Sequence, residues 1–151
     1  MNEEVFSTVN HEDLIESLEQ KLGKLNDFCN LTSLQRKAIL DENINELNSL
    51  IQKKEHIIKT VDEIDNGLSK LVSLIGEELL SNQVKYLDLK KQIHDQLKQA
   101  LELDEQVRDG MERLAQKMVK SMKDLRLGRQ TIKSYYQKSA QVEGYFIDQK
   151  K

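Results

Sequence analysis

The sequence lacks proline and tryptophan altogether and has a single cysteine, Cys29, among 151 residues. Proline is the commonest residue to end or kink a helix, so its absence allows long uninterrupted helices. Aromatic residues make up only 5%, which argues against a strand-rich fold and against a thick globular core. A lone cysteine excludes an internal disulfide and is compatible with a reducing compartment; we interpret it as a small apolar core residue.

Long apolar runs are also missing. No charged segment followed by an apolar one opens the chain, and no run approaches the roughly 18 residues needed to span a bilayer. We therefore expect no membrane span and a cytoplasmic location. The length suits one domain with a modest core.

Charge is unevenly distributed although the formal net charge is only −3. The first twenty residues carry six acidic residues and no Lys or Arg, whereas basic residues predominate from Lys117 onward. An acidic start and a basic end complement the dipoles of long helices. Since the whole chain is slightly acidic, we favour this interpretation over nucleic-acid binding and expect no nucleic-acid partner.

Residues with catalytic or metal-binding potential form no recognisable motif. The histidines are His11, His56 and His94, and none has a Glu three residues before it, as helical di-metal sites require. We interpret His56 as a histidine on a solvated helix surface. The glycines are scattered and form no phosphate-binding loop, and no carboxylate pair is singled out for acid/base chemistry. We therefore predict no enzyme activity, no catalytic residue, no metal and no cofactor.

Apolar residues recur at helical spacing along the whole chain. Asn10 and Asp13 resemble the start of a capped helix, after which Leu14, Leu18 and Leu22 form an apolar stripe. Asn30, Thr32 and Ser33 weaken helix propensity, but without Gly or Pro we expect the helix to continue there or bend slightly.

Two longer stripes alternate steps of four and three residues. The first runs from Leu40 to Leu79, interrupted only by Lys54 and Asp65, and we place its break at Asp65–Gly67, with Gly76 as a second candidate. The second stripe runs from Ile93 to Leu125.

These stripes predict an all-α fold: an elongated antiparallel helical hairpin or bundle of two long helices plus one shorter helix, with coiled-coil-like packing. The shorter helix would span residues 68–80. We divide the chain into a helical core, residues 1–128, and an amphipathic tail that contains aromatic residues, residues 129–151.

The tail is the candidate binding element because it holds four of the seven aromatic residues. Exposed aromatic area is normally avoided unless a partner covers it. The predicted contact set comprises the large apolar residues near and within the tail: Leu125, Ile132, Tyr135, Tyr136, Tyr145, Phe146 and Ile147. Met111, Met118 and Met122 accompany the second stripe, and methionine suits both adaptable binding surfaces and gaps in cores.

Residues 31–61, LTSLQRKAILDENINELNSLIQKKEHIIKTV, carry an ordered pattern. An Ala and an aliphatic residue (Ala38, Ile39) precede two leucines three apart, and a Lys-Glu pair then precedes two aliphatic residues. The leucines are Leu47 and Leu50, and the later residues are Lys54, Glu55, Ile57 and Ile58. With these residues the chain resembles flagellar type III export chaperones of the FlgN type (FlgN- and FliT-like). The ending, with Tyr145, Phe146, Ile147, Asp148 and terminal lysines, is similar as well, whereas Gln35 and Asn43 depart from the family pattern.

The resemblance implies a cytoplasmic chaperone that binds the helical ends of hook–filament junction proteins and prevents their premature assembly before type III secretion. It also implies that the C-terminal part contacts the client. Such recognition places one amphipathic helix against another and requires no cofactor. The alternative is a structural coiled-coil protein that dimerises or scaffolds through its stripes; for the chaperone we expect a monomer or a weak homodimer.

Overall fold

The structure, a computed structural model, describes the backbone of residues 3–143 and the side chains of residues 8–137. Within these residues it contains four helices and no strand: α1 (Glu3–Leu40), α2 (Ile44–Ile75), α3 (Glu77–Leu80) and α4 (Val84–Glu143). The predicted all-α helical bundle is confirmed. Contacts between Cα atoms divide the chain into two units, residues 1–110 and residues 111–151, and each unit is described by itself below.

The helix α1 begins before the predicted cap at Asn10, so that prediction was wrong. Asn10 lies inside the helix and is buried. No residue between Glu3 and Asn10 breaks a helix, and the acidic residues there favour its N-terminal end. The helix continues through Asn30–Ser33, as expected. Thr32 and Ser33 donate hydrogen bonds to the carbonyl oxygens of Phe28 (2.8 Å) and Cys29 (3.1 Å), so their hydroxyl groups are satisfied inside the helix.

A tight turn at residues 41–43, which was not predicted from the sequence, separates α1 from α2. Glu42 adopts a left-handed conformation with φ 54°, and the amide of Asn43 donates to the carbonyl oxygen of Ala38 at 2.9 Å. The Asn43 side chain then caps α2 by accepting from the amide of Glu46 at 3.1 Å. The described chain therefore has three long helices, α1, α2 and α4, where two were predicted, and the residues that carry the family resemblance lie on α1 and α2.

The break predicted at Asp65–Gly67 does not exist, because α2 runs through it to Ile75. The second candidate, Gly76, is where α2 ends, with φ 90°. Positive φ is a conformation that glycine adopts without steric cost, which explains why the helix ends at this glycine. The short helix α3 spans four residues instead of the predicted residues 68–80.

The three long helices α1, α2 and α4 pack together in the unit of residues 1–110, and α3 adds one residue to their core. The ion pair between Lys21 and Asp65 (2.7 Å) joins α1 to α2 in antiparallel orientation. Cys29, in the second half of α1, accepts from Gln96 of α4 at 3.2 Å. Close to the end of α1, Ile39 lies 3.4 Å from the position of a Cβ on Gly110 of α4. The main apolar cluster is drawn from all four helices: Leu14, Leu18, Leu25, Leu68, Leu80, Tyr86, Leu89 and Ile93.

The two polar interruptions of the first stripe are explained by ion pairs. Lys54 is 7% exposed, and its Nζ donates to Gln35 Oε1 (2.6 Å) and to Asp104 Oδ1 (2.8 Å). The other interruption, Asp65, forms the ion pair with Lys21. Each charge therefore joins α2 to another helix of the unit. The core side of α2 is set by Leu47, Leu50 and Ile57, which are buried, whereas Ile58 is exposed although the spacing had placed it in the stripe.

The unit of residues 111–151 contains the C-terminal part of α4, which ends at Glu143. Leu114 is its one buried residue among the described side chains.

Across the described residues, none of the helices combines the length and the apolar composition that a membrane span needs. The division of the chain after Gly128 stays a prediction.

Candidate partner-binding face

A buried polar cluster of the unit of residues 1–110 surrounds Lys54. Besides Gln35 and Asp104, the Lys54 ammonium lies 4.4 Å from the centroid of the Phe28 ring. Asp104 in turn accepts from Arg108 at 3.4 Å. These contacts join side chains of three helices, so we interpret the cluster as part of the packing of the unit.

Cys29 lies near this cluster and is buried, as the sequence analysis expected of a small core residue. Burial raises the pKa of its thiol, and the hydrogen bond from Gln96 and the charge of Lys54 oppose that rise only in part. A thiol with a raised pKa is a poor nucleophile at neutral pH because little thiolate forms. Among the described residues, no group of His, Cys, Asp and Glu is arranged to hold a metal ion.

A shallow apolar groove lies on the surface of the same unit. Its volume is about 180 Å³, and its walls include Phe28, Ile58, Leu97 and Leu101. Asp62 and Asp104 contribute carboxylates to its lining. The groove is lined mainly by carbon, so it offers van der Waals contact rather than a site for bond making.

The predicted contact residues that the structure describes all lie exposed on α4. The exposed fractions are 66% for Leu125, 58% for Ile132, 70% for Tyr135 and 64% for Tyr136. Tyr145, Phe146 and Ile147 lie outside the described residues. From Ala115 to Gln137 every side chain is exposed, so no described residue of this segment is buried by the chain's own fold.

These exposed apolar residues share one face of the helix. At about 100° per residue, they fall within a sector of about 140° around the helix axis. The sector contains six large side chains: Met118, Met122, Leu125, Ile132, Tyr135 and Tyr136. We call this set the α4 face. The remaining exposed apolar residues of the segment, Val119 and Leu127, lie on the other side of the helix.

Met118 and Met122 belong to the α4 face but not to the predicted contact set. The signal that finds them is the alternation of four and three residues, which runs through Leu114, Met118 and Leu125 and places Met122 beside them. The binding element was predicted from the aromatic residues, which lie in residues 129–151, after both methionines. At the end of the face, the rings of Tyr135 and Tyr136 meet edge to face, with centroids 6.1 Å apart and an angle of 76°.

Comparison with protein-family models, with curated proteins and with solved structures found no match to this chain. The class that fold and site together define is an all-α helical bundle with an exposed apolar face on its last helix.

Proposed function

We propose that this protein is a cytoplasmic export chaperone of the FlgN type, which binds the helical end of a hook–filament junction protein through the α4 face. One observation carries the proposal: a helix segment with six large apolar side chains on one side has every side chain exposed from Ala115 to Gln137. Exposed apolar patches of this kind mark surfaces that another molecule covers.

The composition of the α4 face suits a helical client. Methionine is unbranched and polarizable, so Met118 and Met122 adapt their shape to different apolar surfaces. Leu125 and Ile132 are seven residues apart and lie almost directly above one another on the helix. A client helix with its own apolar stripe would bury them, and each large side chain removed from water stabilises a complex by about 1.5–3 kcal/mol before ordering costs.

The resemblance of residues 31–61 to the FlgN type supplies the identity of the client in this proposal. In the structure these residues hold the bundle together: Leu47, Leu50, Lys54 and Ile57 are buried. The proposal therefore assigns stability to the region of the resemblance and client binding to α4.

The test is co-purification of the full chain with a hook–filament junction protein expressed in the same cells. The double variant Leu125→Glu with Ile132→Glu places two charges in the α4 face, and we expect loss of the client. Its matched control is Val119→Glu with Leu127→Glu, which adds the same charges to exposed apolar positions on the other side of the helix. We expect the control to retain the client.

Both double variants leave the free energy of unfolding within about 0.5 kcal/mol of the parent, because all four positions are exposed. Circular dichroism during urea unfolding checks this. Equal client binding by both double variants, or the absence of any complex with the parent chain, contradicts the proposal.

The second candidate is a coiled-coil scaffold, since the spacing of the α4 face also suits pairing with an identical helix. Sedimentation equilibrium separates the two. A constitutive tight dimer that Leu125→Glu with Ile132→Glu converts to monomers favours the scaffold, whereas a monomer or weak dimer favours the chaperone.

A further inference from the structure

The two units of the chain carry opposite charge. Residues 1–110 contain twenty-two Asp and Glu against thirteen Lys and Arg, whereas residues 111–137 contain two against seven. A helix with basic residues around an apolar face attracts an acidic surface and repels a basic one. The charge of this segment therefore restricts which helix can cover the α4 face.

Three of these cations line one edge of the α4 face. Arg126, Arg129 and Lys133 follow one another at steps of three and four residues. At about 100° per residue, Arg126 and Lys133 lie just outside the Met122 side of the apolar sector, and Arg129 lies just inside that side. All three are exposed. Among the described side chains no carboxylate forms an ion pair with any of them. We call this set the basic edge.

The α4 face also has a notch in its middle. Ser121 and Gly128 occupy positions that the alternation of four and three assigns to the apolar stripe, between Met118 and Tyr135. A Cβ built on Gly128 meets no atom within 4 Å. Large side chains from a second helix can enter such a notch and reach the backbone.

Although its spacing suits pairing, a second copy of the same face fits this surface poorly when the two helices run parallel. In a parallel pair of identical helices, each position of the stripe faces its own equivalent. Ser121 would then meet Ser121 and Gly128 would meet Gly128, which leaves two layers without apolar contact. The surplus of basic residues would be brought together as well, at a cost that low salt increases.

We propose that the partner of the α4 face is an amphipathic helix of a different protein that carries acidic residues beside its apolar stripe, with its carboxylates on the basic edge and large apolar side chains in the notch. This inference rests on the proposed function for the use of the α4 face, and it adds the chemistry of the client. The basic edge determines which apolar helix is accepted, and the face supplies most of the buried area.

The test uses two labelled synthetic peptides with the same leucine stripe at four–three spacing, one with Glu and one with Lys at the flanking positions. Fluorescence anisotropy with the full chain measures their binding at about 50 mM and about 500 mM salt. We expect the acidic peptide to bind at least about tenfold more tightly than the basic one at low salt, and this preference to shrink at high salt. Equal binding of the two peptides, or no binding of either, overturns the inference.

Two charge reversals of equal size test the basic edge. Arg126→Glu with Arg129→Glu alters the edge, whereas Lys120→Glu with Lys123→Glu makes the same change in net charge away from it. We expect the first pair to weaken binding of the acidic peptide about tenfold and the second pair to change it less than about threefold. Equal losses would mean attraction by net charge alone and would overturn the assignment of the edge.

A membrane surface is the competing explanation for a basic amphipathic helix. Vesicles of phosphatidylcholine and phosphatidylglycerol, mixed about three to one, test it by co-sedimentation. Binding to these vesicles that depends on Arg126 and Arg129, with no binding of the acidic peptide, overturns the inference in favour of lipid.

If a hook–filament junction protein binds the parent and the Arg126→Glu, Arg129→Glu variant equally, the proposed function stands and this inference fails. If the acidic peptide binds as expected and no such client does, the inference stands and the proposed function fails.

Discussion

At the scale of single residues, a charge that interrupts an apolar stripe turns out to join three helices. Lys54 lies on α2, Gln35 on α1 and Asp104 on α4, and the ammonium group of Lys54 bonds to both partners. A buried ion pair adds little net stability compared with apolar residues of similar volume. It does penalise every packing in which the three groups fail to meet, so it favours this alignment of the helices.

Replacing Lys54 by methionine keeps the apolar stem and removes the charge. We expect Lys54→Met to lower the free energy of unfolding by about 2 kcal/mol, because Gln35 is left buried and Asp104 loses its closest cation. The loss stays below that of a fully buried pair, since the Asp104 side chain is 31% exposed. Urea unfolding followed by circular dichroism measures it, with the exposed neighbour Lys53→Met as the control. Equal stability of the two variants contradicts the role given to Lys54.

Cys29 gives a prediction about reactivity and pH. Because burial raises the pKa of its thiol, the folded protein disfavours the thiolate that the unfolded chain forms freely. The contribution of Cys29 to stability is therefore full at neutral pH and declines as pH rises above the ordinary cysteine pKa of about 8.5.

At pH 8 we expect a thiol reagent to modify Cys29 at least about a hundredfold more slowly in the folded chain than in urea. An exposed cysteine, Ser134→Cys in a Cys29→Ala background, serves as the control and reacts at similar rates in both conditions. Rapid modification of native Cys29 would show that the thiol is accessible and would contradict the burial described here.

At the scale of helices, two glycines of similar appearance in the sequence have opposite roles. Gly67 lies inside α2 with open space around it, whereas Gly76 ends the helix with φ 90°. We expect Gly67→Ala to raise the free energy of unfolding by about 0.5–1 kcal/mol, since alanine favours the helix. Gly76→Ala should lower it by about 1 kcal/mol or more, because a side chain is strained at positive φ. Thermal unfolding of both variants measures the difference, and a gain from Gly76→Ala would contradict the assigned helix end.

Helical character could be predicted from the sequence because apolar residues keep their spacing of four and three along most of the chain. The turn at residues 41–43 could not be located that way, since the step from Leu40 to Ile44 preserves the spacing while the chain reverses direction. A local signal was present: Asn43 followed three residues later by Glu46 is a common helix start. Periodicity indicates which face of a helix is apolar, and caps indicate where the helix begins.

The burial of each stripe depends on neighbours that one helix cannot reveal. Ile93, Ala100 and Val107 are buried, whereas Met118 and Leu125 have the same spacing and are exposed. The sequence therefore indicated which positions of α4 are apolar, and the binding role of those residues stays a prediction. It could not predict where burial ends along α4, because that depends on which other helix lies alongside.

At the scale of the whole molecule, we propose that stability and binding belong to different parts of the chain. The buried side chains of the described chain lie between Asn10 and Leu114, and the α4 face follows them. Acidic residues predominate where the core is and basic residues where the face is. We therefore expect substitutions in the core to change the free energy of unfolding, and substitutions in the α4 face to change affinity for a partner.

Hydrogen exchange measured by mass spectrometry, on the full chain alone and with the proposed flagellar client, tests this separation most directly. Alone, amides of residues 115–137 should exchange at least about a hundredfold faster than those of residues 14–25, because no buried side chain holds that segment of α4. With the client, protection should appear on residues 115–137 and leave residues 14–25 unchanged. Strong protection of residues 115–137 in the chain alone, or client-induced protection confined to residues 14–25, would contradict the account.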